Sequence, residues 1–289
     1  ALVALGSVSA HAADISISGG YNFIYTVDGE NTTDETDTGA EGDVNIKFSN
    51  TTDSGITTTL NYGMHETGLA GSGAAYDDLN ASMSADWGTL MFDSAGDDSA
   101  LGGFDGKSDK AGEGSQTGAI QGIMGTGNLG IGYKLPSIMD GLTIAINASD
   151  TDTAGEYFGY GIGYDMGMIN VSYVKEATNT VENTYAGLGA TFGEISIGVD
   201  SVDQDNGSSA TNREALGYGV SYAMGDITLA YEMGSLDDGA GTEISNHTQI
   251  AASYTVATGI TAVFTQSEVE TAAAGGDEDK MEVQLKLSF

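Results

Sequence analysis

Met281-Glu-Val-Gln-Leu-Lys-Leu-Ser-Phe289, the last nine residues, decide the fold. Met281, Val283, Leu285, Leu287 and Phe289 alternate with Glu282, Gln284, Lys286 and Ser288, so a two-residue period gives the segment one apolar and one polar face. A strand at the end of a chain carries a free edge of unpaired N–H and C=O groups. In a soluble sheet that edge invites aggregation, whereas in a closed barrel the first strand covers it.

The same period recurs upstream. Ile15, Ile17, Gly19, Tyr21, Phe23 and Tyr25 oppose Ser16, Ser18, Gly20 and Asn22. Val44, Ile46 and Phe48 alternate with Asn45, Lys47 and Ser49, and Ile56, Leu60, Tyr62 and Met64 resume the pattern. Leu79, Met83 and Trp87 share a face, and Gly88 turns the chain into Thr89 to Phe92. Residues 128–135 and 142–150 pair around Pro136, the only proline. Further strands are expected over 157–165, 168–175, 184–192, 195–200, 215–223, 227–233, 247–254, 260–267 and 282–289. The count comes to about sixteen, with long polar connections alternating with short ones such as Asp53-Ser-Gly55, Gly193-Glu194 and Met224-Gly-Asp226. An even number of antiparallel strands closes with both termini on one rim. In lipid, each open edge would leave backbone groups unpaired at several kcal/mol apiece, so closure is compulsory there.

The strands that run into short turns each carry an aromatic near that end: Phe48, Trp87, Tyr133, Tyr164, Phe192, Tyr222, Tyr254 and Phe289. All lie in phase with the apolar face. That layout is expected of an aromatic girdle at a membrane interface, where an amphipathic ring sits at headgroup level.

Composition narrows the function classes. A formal charge of −34, from 42 acidic and 8 basic residues, excludes nucleic acid as a ligand, because phosphates would be repelled. Many of the acids are expected in turn-rich connections such as 28–41 and 275–279. After the first dozen residues no apolar run reaches the length of a membrane-spanning helix. The absence of cysteine leaves the compartment open. Residues 1–12, apolar and ending in Ala10-His11-Ala12, resemble the second half of a secretory signal, so the barrel is assigned to 13–289.

Catalytic and metal chemistry is thin. His11, His65 and His247 are scattered, and no serine sits in G-x-S-x-G. Asp203-Gln-Asp205-Asn-Gly207 lacks the terminal bidentate glutamate of a calcium loop. Gly159, Gly161 and Gly163 alternate within a strand with no helix after them, which reads as a pore-facing or closely packed face rather than a nucleotide site. No cofactor is expected; loosely bound Ca2+ at acidic loops is the metal role that remains open.

Three local patterns carry a resemblance to a family. The terminal strand ending in Phe289 resembles the insertion signal of bacterial outer-membrane barrels. Trp87-Gly-Thr-Leu-Met-Phe92 resembles the strand that leads into an inward-folded third loop, and Tyr133-Lys-Leu-Pro-Ser-Ile-Met-Asp-Gly-Leu142 is similar to a turn of the same family. In that order, over the mature length, they resemble a general diffusion porin of the Gram-negative outer membrane. The resemblance implies an all-β fold: a single closed antiparallel transmembrane barrel with long outer loops, short periplasmic turns and a third loop folded into the lumen. It also implies passive diffusion of small hydrophilic solutes and ions, no enzyme activity, a homotrimer, contact with outer-membrane lipids, and recognition of the last strand by the barrel-insertion machinery.

On the same resemblance, residues 93 to about 127 narrow the lumen. They carry Asp93, Asp97, Asp98, Asp105, Asp109 and Glu113, with Lys107 and Lys110. The family places a basic cluster across the pore, mostly arginines, and here the chain departs: Arg213 is its only arginine and is expected in a loop. Lys47, Lys134 and Lys286 are out of phase with the apolar face and so face the lumen. A lysine facing lipid at mid-bilayer would cost about 2–4 kcal/mol. They either tune selectivity or only neutralise nearby carboxylates. With few bases opposite an acidic loop, a preference for cations is expected. Other readings stay open: a substrate-specific channel, or, in a different class, a secreted calcium-binding adhesin or surface-layer β-protein. An outer-membrane lipase would need a serine and histidine at one strand level, and none is evident.

Overall fold

The computed structural model describes residues 14–28, 35–67, 75–93, 100–111, 130–151, 155–209, 211–272 and 277–289. The expected signal remnant lies outside them. Sixteen strands run in order. The first half is β1 (Asp14–Asp28), β2 (Glu35–Thr51), β3 (Thr57–Thr67), β4 (Ala75–Ala85), β5 (Gly88–Asp93), β6 (Gly130–Lys134), β7 (Leu142–Thr151) and β8 (Gly155–Asp165). The second half is β9 (Ile169–Ala177), β10 (Glu182–Phe192), β11 (Ile195–Asp205), β12 (Arg213–Met224), β13 (Ile227–Asp238), β14 (Glu243–Ala257), β15 (Ile260–Thr271) and β16 (Glu278–Ser288).

Each strand pairs antiparallel with its sequence neighbours, and β16 pairs with β1, closing the barrel. The terminal strand thus finds the edge that its alternation demanded: Tyr21 stands opposite Leu287 and Phe23 opposite Leu285. Beyond the ladder, Gly19 N donates to Phe289 O at 3.2 Å and Phe289 N donates to Gly19 O at 3.1 Å. Closure leaves no edge to aggregate or to lose its hydrogen bonds in lipid.

Alternation sorts the side chains. On β12 the outward residues Leu216, Tyr218, Val220 and Tyr222 are exposed, while Ala215, Gly217 and Gly219 between them are buried inside. The outer surface is therefore apolar around the circumference, the inverse of a soluble protein and the requirement of a protein solvated by lipid. The aromatics expected at one rim are found there: the even-numbered strands all descend to the short-turn rim, where Phe48, Phe192, Tyr222, Tyr254 and Phe289 stand exposed. Trp87 stacks on Tyr133 at the same rim, centroids 6.4 Å apart and planes at 17°.

The ladders run further than the alternation foretold. Residues 28–41 were expected as a turn-rich connection, but β1 continues to Asp28 and β2 begins at Glu35, paired residue by residue. Glu35, Asp37 and Glu41 accordingly belong to β2, and Glu278 and Asp279 to β16, rather than to connections. Arg213, expected in a loop, opens β12 opposite Gln204 and Asp238. The physical reason is common to all three. Where the wall rises above the apolar band, water bathes both faces, so backbone pairing persists after the in–out pattern has gone.

Candidate functional site

Inside the wall, residues 100–111, which lie between β5 and β6, pack against the lumen face. Residues 100–111 run along it in strand order, and glycines make the room. A Cβ on Gly132 of β6 would lie 2.5 Å from the Ala100 methyl, and one on Gly159 of β8 would lie 2.7 Å from Leu101. Phe104 covers Gly161 and Gly163. Farther round, a Cβ on Gly198 of β11 would fall 1.5 Å from Lys107 O, and one on Gly219 of β12 would fall 1.8 Å from Ser108 O. The alternating glycines of β8 are thus a closely packed face, not a nucleotide fingerprint. Ala100, Leu101 and Phe104 form one apolar cluster with Ala145, Val174, Tyr185, Val202 and Ala215 of the wall; Ala111 joins a second with Ala230 and Ala251.

From Phe104 over β8 to Ala111 over β13 the segment crosses five strand spacings, about 24 Å along the wall. Seven residues reach roughly 24 Å when extended. This part is drawn out against the wall and hugs it instead of bridging the lumen.

Two wall carboxylates fasten it. Asp200 Oδ2 accepts the Ser108 backbone N–H at 2.5 Å and the Ser108 hydroxyl at 2.7 Å, while the Tyr185 hydroxyl donates to Asp200 Oδ1. Glu232 Oε2 accepts the backbone N–H groups of Lys110 and Ala111, both at 3.1 Å. Ser172 of β9 donates its hydroxyl to Phe104 O. A drawn-out segment has no ladder of its own, and these side chains satisfy backbone groups that burial would otherwise orphan. Hydrogen bonds to charged groups contribute roughly 1.5–3 kcal/mol each. Asp200 and Glu232 were missed in the sequence. Their signal was a carboxylate in inward phase two residues from an inward glycine, Gly198 and Gly234 respectively.

The site residues expected from sequence divide. Asp105, Lys107, Asp109 and Lys110 lie on the inward segment, and Asp93 is the last residue of β5. Asp97, Asp98 and Glu113 lie outside the described residues. Lys134, at the foot of β6, meets Lys107 and Lys110 around one cavity of about 430 Å³ between the segment and the short-turn rim. Lys47 on β2 faces the lumen but is not among the residues lining that cavity.

The wall opposite carries amides and hydroxyls around one ion pair. Asn22 donates to Gln284 at 3.0 Å, Asn61 to Asn80 at 2.7 Å, and Gln284 to Glu282 at 3.4 Å. Thr26 donates to Glu282 at 3.3 Å, and Lys280 pairs with the same carboxylate at 2.8 Å. No arginine stands there, since the only one, Arg213, is at the far end of β12. Among the described residues no group of three or more His, Asp or Glu side chains is arranged to hold a metal ion. Asp205 instead accepts Gly207 N at 2.8 Å, an ordinary turn contact.

The family model of Gram-negative porins matches residues 1–282. No curated protein matches the chain. Among solved structures, a mutant of the Rhodopseudomonas blastica porin superposes with a TM-score of 0.75 at 19% identity, covering 96% of this chain and 100% of that one. An anion-selective porin from Comamonas acidovorans gives 0.72 at 14% identity over 96% of this chain and 100% of its own. Salmonella typhi OmpF in complex with daunomycin gives 0.76 at 12% identity, over 96% and 98%. At such identities these structures speak to the fold: the same closed barrel.

Proposed function

Because the chain belongs to the Gram-negative porin family and is an integral β-barrel of the outer membrane, we propose that it passes small hydrophilic solutes down their gradients and prefers cations over anions. What carries the preference is the acidity of the outer mouth. At the long-loop ends of adjacent strands stand Asp203 and Asp205 of β11, Glu214 of β12, Asp237 and Asp238 of β13, Glu243 of β14, and Glu268 and Glu270 of β15. Arg213 is the only lysine or arginine on these five strands. A mouth lined by one sign of charge, with low-dielectric walls, concentrates the opposite ion and raises its entry rate. On the wall facing the inward segment the Lys280 charge is balanced by Glu282, and the lumen-facing bases Lys47 and Lys286 stand among Asn, Gln and Thr side chains, fewer than the acids of the mouth. No bond is made or broken in this reading, so selection rests on size and field alone. Reversal potentials across a planar bilayer in a potassium chloride gradient test it: a potential of the sign for potassium permeation is expected, and a zero or anion-selective potential overturns it.

We also infer a homotrimer. The outer surface of β2 to β5 holds an apolar hollow of about 420 Å³ lined by Phe48, Leu60, Ala81, Met83 and Phe92. A concave apolar surface of this kind suits interlocking side chains of a neighbouring barrel better than flexible lipid tails. Mass determination in detergent, with a monomer as the opposing outcome, checks the assembly.

A further inference from the structure

We propose that the cavity beneath the inward segment is a binding site for small free oxyanions of two or more negative charges, entered from the periplasmic side. The inference rests on the channel reading and deepens it. Three of the chain's eight basic residues, Lys107, Lys110 and Lys134, converge on this one cavity in a protein with 42 acids. Placing three ammonium groups together is unfavourable in itself, and an anion between them reverses the sign of that interaction. They are not used up elsewhere: among the described residues the ion pairs are Lys175–Glu182 and Lys280–Glu282, and neither involves the three. Lys107 reaches backward to the neutral carbonyls Gly103 O at 3.2 Å and Asp105 O at 3.4 Å, and the Asp200 and Asp105 carboxylates act on its charge from nearby without forming an ion pair with it.

The rest of the lining suits an oxyanion. Thr143 supplies a hydroxyl, and Asn170 supplies an amide whose oxygen has no hydrogen-bond partner. Asp165, the single carboxylate in the lining, already has Oδ1 bound by Gly167 N at 2.7 Å and lies at the rim. A volume of about 430 Å³ falls in the ordinary range of small-molecule sites.

Position gives the site a direction. Lys134, Gly141, Gly163 and Asp165 all sit at the ends of β6, β7 and β8 that meet the short turns, so the cavity lies on the periplasmic side of the segment. An anion from that side arrives without crossing the acidic outer mouth. One from outside must pass the mouth first.

The experiment uses inorganic phosphate as the probe, on the whole purified protein in planar bilayers at constant ionic strength. Millimolar phosphate on the periplasmic side is expected to lower the single-channel current by about half, and the same dose outside to act at least about threefold more weakly. The Lys110→Gln/Lys134→Gln double variant should need roughly tenfold more phosphate for the same block, about 1.4 kcal/mol. If that variant does not assemble, Lys110→Gln alone, changed on the segment and not on the wall, should shift the block in the same direction. A conducting protein on which phosphate has no effect from either side overturns the site and leaves the channel standing. A protein that binds phosphate by calorimetry, loses it in the variant and conducts nothing overturns the channel and leaves the site.

Discussion

Asp200 holds Ser108 twice over, accepting its backbone N–H at 2.5 Å and its hydroxyl at 2.7 Å with a single carboxylate oxygen. The second oxygen is taken by Tyr185, so the carboxylate is fixed from both sides. Asp200→Asn replaces one acceptor oxygen by a donor that faces donors. With Glu232→Gln as a second change, the segment loses its charged anchors at both β11 and β13. Each buried N–H left without a partner costs about 1–3 kcal/mol, and the strand ladders are untouched. The double variant should therefore fold as a barrel but release the segment. Noise in the open-channel current should rise, and trypsin should cut after Lys107 or Lys110 where it leaves the parent intact. A variant as quiet and as resistant as the parent would show that the carboxylates are not what fastens the segment.

Gly198→Ala tests the same contact from the wall side. Its Cβ would fall 1.5 Å from Lys107 O, a backbone atom that cannot turn aside, so the segment must lift away near Lys107. Gly39→Ala is the control, because its Cβ meets nothing nearer than Ile24 Cβ at 3.9 Å. The first variant should alter conductance and protease sensitivity, and the second should alter neither. Equal behaviour of the two would contradict the packing of the segment on β11.

Much of this was legible in the sequence, and the limits have physical causes. The closing strand Met281–Phe289, the aromatic rim and the sixteen-strand count followed from a period of two, because lipid outside and water inside impose opposite preferences on successive residues. Where water lies on both sides the period vanishes. Glu35 and Arg213 were consequently read as loop residues, though the ladder includes them. Gly159, Gly161 and Gly163 were readable as a packed face, but not what packs there, because Leu101 and Phe104 come from a segment without periodicity. Lys134 was assigned to the lumen by phase. Its meeting with Lys107 and Lys110 depends on the path of residues 100–111, which no local pattern encodes.

The lipid face can be probed directly. Leu188, near the middle of β10, points outward and is 48% exposed, while Gly187 and Gly189 beside it are buried inside. Leu188→Arg places a charge against hydrocarbon and should destabilise the barrel by about 2–4 kcal/mol. Thr180→Arg, in the exposed turn between β9 and β10, should change stability by less than about 0.5 kcal/mol. Denaturant unfolding in lipid vesicles measures both. A Leu188→Arg protein as stable as its parent would mean that this face meets water.

The seam between the two ends of the chain yields the last prediction. Gly19 and Phe289 exchange both backbone hydrogen bonds beyond the β1–β16 ladder, and the Phe289 ring lies over Gly19, where a Cβ would stand 3.0 Å from its Cζ. The ring is 75% exposed at the short-turn rim, where headgroups rather than protein surround it. Phe289→Ala keeps the two backbone bonds and removes only the ring, whose transfer from water is worth up to about 3 kcal/mol. Deleting Phe289 removes the bonds as well and reopens the end of the seam. Phe289→Tyr keeps an aromatic suited to the interface. Heat-modifiable migration on gels reports the folded fraction after refolding into vesicles. The expected order is parent and Phe289→Tyr together, then Phe289→Ala, then the deletion. If Phe289→Ala folded as well as the parent while the deletion failed, the seam would depend on the backbone pair alone, and the ring's place in the girdle would have to be given up.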